Sequence, residues 1–139
     1  MAEIPTAAAV KLLKFAGVQR IDAEGKKAIA EIVETILNNS FKKLAILLKE
    51  GKRKTATADM LNALAPEFEE IDEEVILKVA PVLRIAKSAG IERVDSEGKE
   101  IIGEVATRIV LNEFFILADV MESMGKQTAT EKMLKALVE

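Results

Sequence analysis

The chain repeats itself. Shifted by 73 residues, positions 4–66 align without a gap onto positions 77–139, and 23 of the 63 pairs are identical. KLLKFAGVQRIDAEGKKAIAEI (11–32) faces RIAKSAGIERVDSEGKEIIGEV (84–105), and KTATADMLNAL (54–64) faces QTATEKMLKAL (127–137). A gapless register over such a length is the mark of a duplicated gene, so one fold must be built twice.

Each unit reads as short, long and short helices. The first runs over about residues 5–16, with Pro5 at a helix start where its missing N–H does no harm. Gly17 stops it, as Gly90 does in the second unit. The loop 17–21 leads to Asp22, an N-cap matched by Asp95. The long helix spans about residues 22–50, where Ile29, Ile32, Val33, Ile36, Phe41, Leu44 and Leu48 recur at helical spacing. A second loop covers 51–56, and Thr57 and Thr130 cap third helices ending near Leu64 and Leu137.

A unit of about 60 residues built round one long helix buries too little surface alone. Two such units can cross their long helices, and here the partner comes on the same chain, which raises its effective concentration. The expected organisation is all-α: a first unit at 1–65, an acidic linker at 66–75 and a second unit at 76–139. The linker PEFEEIDEEV is expected to be partly helical and to begin the second unit's first helix.

The 139 residues contain no Cys and no His, which removes the thiol nucleophile, the thiolate metal site, the usual general base and the usual metal ligand. No glycine-rich phosphate loop occurs either, so neither an enzyme nor a cofactor or metal is expected. Acid pairs such as Glu31 with Glu34, or Glu69 with Glu70, read as solvated faces. No run reaches the roughly 20 apolar residues of a membrane span. The expected location is cytoplasmic.

Net charge is −3, and its distribution is uneven. Residues 1–65 hold 11 basic and 7 acidic side chains, 66–77 hold six acids and no base, and 78–139 hold 9 basic and 10 acidic. The acidity is concentrated between the units.

EIPTAAAVKLLKFAGVQRID (3–22) resembles the opening of archaeal histones: an acidic-apolar-Pro start, a basic first helix, then A-G-x-x-R. KRKTATADML (52–61) is similar to their second loop with its R-K-T motif. The resemblance covers nearly the whole chain, in both units. It implies a tandem pair of histone folds in an intramolecular handshake, and sequence-independent binding and compaction of double-stranded DNA on the chromosome. It implies that Lys11 and Arg84 point from the first helices toward the minor groove, with Lys14 and Lys87 one turn further on. Arg20 and Arg93 then serve from the first loops, and Arg53, Lys54 and Thr55, with Lys126 and Thr128, from the second loops. Loop N–H groups and helix N-termini are expected to favour phosphate as well. A lone Lys or Arg on a helix is ordinary solvated surface. Taken together, in two registers, the set that the resemblance picks out favours DNA contact.

The chain departs from the family in three places. The family pairs its second-loop Arg with an Asp seven residues on, where this chain has Met60 after Arg53, with Asp59 one short, and the second unit has Lys126 and Lys132. Gln127 stands where a basic residue is expected. The His of the family's pair-to-pair contact is Glu50 in one unit and Ser123 in the other. The units also diverge at Lys42 and Lys43, which become Phe115 and Ile116 in the apolar stretch IVLNEFFILADVM (109–121). A helix apolar nearly all round is covered on several sides. The expected cover is the linker, through Phe68 and Ile71, or another molecule, including a second copy. Together with the net acidity, these departures keep open a second function, a histone-fold protein-interaction module with weak or no DNA binding.

Overall fold

The structure is a computed structural model and describes residues 3–139. The first unit contains α1 (Thr6–Phe15), β1 (Arg20–Ile21), α2 (Ala23–Glu50), β2 (Thr55–Ala56) and α3 (Ala58–Asn62). The second contains α4 (Val79–Ser88), β3 (Arg93–Val94), α5 (Ser96–Ser123), β4 (Thr128–Ala129) and α6 (Glu131–Ala136). The fold is all-α apart from these two-residue strands.

The helix boundaries follow from side chains that satisfy backbone groups. Asp22 and Asp95 accept from the N–H of Gly25 and Gly98 at 2.6 Å, and Thr57 and Thr130 accept from Met60 and Met133 at 3.3 Å. Each hydrogen bond satisfies one of the unpaired donors of a first turn. At the other end of α1, Gly17 takes φ +110° and Val18 N–H reaches back to Leu13 O at 3.2 Å, the double turn that ends many helices.

The units interlock rather than sit side by side. α3 packs on α5 and α6 on α2, while α1 and α4 each lie against both long helices. Phe41 and Phe114, which occupy the same repeat position, are fully buried. Burying each such side chain is worth about 1.5–3 kcal/mol.

The linker is a packed segment. It contains one 3-10 turn, Glu73–Val75, but does not begin α4. Ile76 and Lys78 are extended, and α4 starts afresh at Val79. The break is fixed by Leu77, which is buried and donates its N–H to Thr107 Oγ1 at 2.9 Å. Phe68 covers Phe115 with ring centroids 5.4 Å apart, and Phe15 of α1 meets the same ring at 6.5 Å. The linker thus covers the second unit's extra apolar face only in part. Ile116, Val120 and Met124 remain about half exposed along one side of α5.

Candidate nucleic-acid interface

The loops are shaped by how the helices end. After α2 the chain turns at Lys52 (φ +57°), and Arg53 N–H returns to Leu48 O at 2.8 Å. After α5 the same turn uses Gly125 (φ +68°), with Lys126 N–H on Met121 O at 2.9 Å. Both turns send the next residues out to solvent, and Arg53, Lys54 and Lys126 are exposed.

Pairing across the units then sets the loops side by side. β1 runs parallel to β4, with Arg20 opposite Thr128, and β2 runs parallel to β3, with Thr55 opposite Arg93. Arg20 N–H donates to Gln127 O at 3.1 Å, and Arg93 N–H to Lys54 O at 3.2 Å. Strands of two residues are too short to show an alternating pattern, so the sequence gives no sign of them. Their effect is large. One end of the molecule gathers Arg53, Lys54, Thr55 and Arg93; the other gathers Arg20, Lys126, Gln127 and Thr128.

Lys11 and Lys14 on α1 and Arg84 and Lys87 on α4 are all exposed. Arg84 is held: its Nε donates to Glu3 Oε2 at 2.7 Å, and Glu3 N–H donates to Glu34 Oε1 at 2.8 Å. Glu3 precedes the first helix of the other unit, 81 residues away, so no sequence pattern announces the pair. The contact is half exposed and adds little stability. It fixes the guanidinium through Nε and leaves both Nη groups without a partner among the described residues. Lys11, Lys14, Lys87, Arg53 and Lys126 form no ion pair among the described residues.

The helix N-termini differ in how they are capped. The long helices start under the carboxylates of Asp22 and Asp95, whose negative charge already occupies those termini. α1 and α4 carry no side-chain cap, so their first N–H groups remain available. No helix is long and apolar enough to cross a membrane, and the described residues contain no cluster of metal-ligating side chains.

No family model matches the sequence. Over 63 residues, the length of one unit, the chain is 40% identical to a probable archaeal histone 3 of Methanocaldococcus jannaschii, covering 45% of this chain and 94% of that protein. The crystal structure of the histone from Methanopyrus kandleri superposes with a TM-score of 0.78 at 24% identity, over 96% of this chain and 92% of that one. This second likeness establishes a shared fold along nearly the full chain.

Proposed function

The chain belongs to the archaeal histone family, and from that premise we propose that it is a single-chain histone pair that binds and compacts double-stranded DNA without reading its sequence. Two histone folds, 1–65 and 76–139, pair in cis through the linker 66–75. The observation that carries this reading is the cross-unit strand pairing, which assembles a two-loop basic group at each end, with further exposed cations on α1 and α4. Such an arrangement suits a curved duplex gripped at successive phosphates, with Arg or Lys entering the inward-facing minor groove.

In this reading Lys11 and Arg84 enter the minor groove. Lys14, Lys87, Arg20, Arg93, Arg53, Lys54 and Lys126 hold phosphates, and Thr55 and Thr128 add hydroxyl donors. The role is architectural, and the protein acts on the chromosome within the nucleoid. Salt titration of binding to random-sequence duplex tests it, because each neutralised phosphate contributes about −0.9 to the slope of log K against log salt. Lys11→Ala should weaken binding to all sequences alike and flatten that slope by about one. A wild-type slope of zero, or no binding at low salt, would transfer the case to a protein-interaction role.

That second reading is favoured by one observation, the row Ile116, Val120 and Met124 left half exposed on α5. Self-association through the second unit would cover it, and a concentration-dependent sedimentation coefficient would report it.

A further inference from the structure

The repeat relates the two ends of the molecule, but their charges differ. At each end a groove runs between the last turns of one long helix and the first loop of the other unit. One groove is lined by Lys42, Lys49, Lys52, Arg53 and Lys54, with Glu92 its single acid. Its counterpart is lined by Asp119 and Glu122, with Lys126 its single cation. Position by position, Lys42 faces Phe115, Ile46 faces Asp119, Lys49 faces Glu122, Lys52 faces Gly125 and Lys54 faces Gln127. All five exchanges make the first end more positive. Only Glu92 against Gln19 runs the other way.

We propose that the basic groove is a phosphate-binding site and that it makes the grip on DNA polar. Lys42, Lys49 and Lys52 extend the contact made by the second loop onto the flank of α2, so the duplex is anchored at this end. At the other end it passes two carboxylates and leaves early. The proposal rests on the DNA-binding reading above and adds to it a direction and three residues. Duplex DNA fits better than the acidic end of a second copy. The groove is continuous with Arg53, Lys54 and their cross-unit neighbour Arg93, and a duplex presents one phosphate charge per about 1.7 Å of its axis. The opposite groove offers two carboxylates beside a lysine.

The groove lysines are all exposed, so they can be changed without disturbing the core. The test compares three proteins on one random-sequence duplex: wild type, the triple variant Lys42→Gln/Lys49→Gln/Lys52→Gln, and the double variant Asp119→Lys/Glu122→Lys. Thermal melts confirm folding. The triple variant should flatten the salt slope by about 2.7, three phosphates at about 0.9 each, and the double variant should steepen it by up to about 1.8. A triple variant with the wild-type slope, beside an Arg53→Ala control that flattens it, overturns the proposal and leaves the DNA-binding reading intact. So does a triple variant that keeps its slope but loses self-association, since the groove then receives a second copy. A wild-type slope of zero overturns the DNA-binding reading and this proposal with it.

Discussion

The middle of α2 and the middle of α5 are one stretch of helix in two copies, and they have different neighbours. On α2 the aligned residues are Ala30, Glu34 and Thr35. Thr35 is exposed, and its hydroxyl bonds only its own helix, at Glu31 O. On α5 they are Gly103, Thr107 and Arg108, all buried. A Cβ at Gly103 would sit 2.4 Å from Leu77 O, so the backbone just before α4 occupies the space a side chain would need. Thr107 receives the Leu77 N–H, and Arg108 reaches Asn62 Oδ1 at 2.5 Å and the carbonyls of Ala65 and Pro66 at 3.4 Å. The two copies therefore differ at the patch where the chain passes from α3 to α4.

Arg108 offers the largest test of that difference. It is 4% exposed, has no carboxylate partner among the described residues, and its Nε is unsatisfied. A buried cation pays for its desolvation only through hydrogen bonds, and here they close the end of α3 and start the linker. Arg108→Ala would remove the bonds that hold the end of α3 and open a cavity, at a cost of about 2–3 kcal/mol, read as a lower urea midpoint. Thr35→Ala, the aligned change on α2, should stay within about 0.5 kcal/mol. Equal losses at the two positions would erase the contrast.

Thr107→Val comes next. Valine keeps the shape, yet it leaves Leu77 N–H buried without an acceptor, which costs about 1–2 kcal/mol. Thr107→Ser should recover most of that loss in the same denaturation experiment. If valine is as stable as threonine, the linker is not held at this point. The first unit's entry segment has a different hook, Glu3 N–H on Glu34, at the position aligned with Thr107.

The features that distinguish the two middles were the hardest to read from sequence. Caps and stops act within a few residues, so Asp22, Asp95, Thr57, Thr130, Gly17 and Gly90 could be placed directly. Arg108 could not. An arginine on a helix reads as solvated surface unless one knows what lies over it, and its partners are 42 to 46 residues away. The apolar run at 109–121 announces an extra covered face, with Phe68 among its expected covers, and Phe68 does pack on Phe115; that Ile116 stays half exposed is not legible there. The basic positions of both loops were legible as a set through the repeat. Their grouping, first loop of one unit against second loop of the other, depends on strand pairs too short to leave a pattern. The alignment already held the charge contrast between the two ends, and only the grooves showed that those positions share a wall.

The smallest expected effect separates folding from binding at the turn after each long helix. Gly125 takes φ +68° without cost, whereas Lys52 holds φ +57° with a side chain, a conformation that disfavours L-residues by roughly 1–2 kcal/mol. Lys52→Gly would relieve that strain, less about 0.5–1 kcal/mol for the greater freedom of glycine in the unfolded chain. A net gain of up to about 1 kcal/mol should follow, read as a higher urea midpoint. If Lys52 meets a phosphate, the same change should flatten the salt slope by about 0.9. Tighter folding with weaker DNA binding cannot come from a damaged fold, so opposite signs in the two measurements would place Lys52 at the interface. A variant that folds no better but still binds less would keep the phosphate contact and remove the strain argument, and the two left-handed turns would then differ in charge alone.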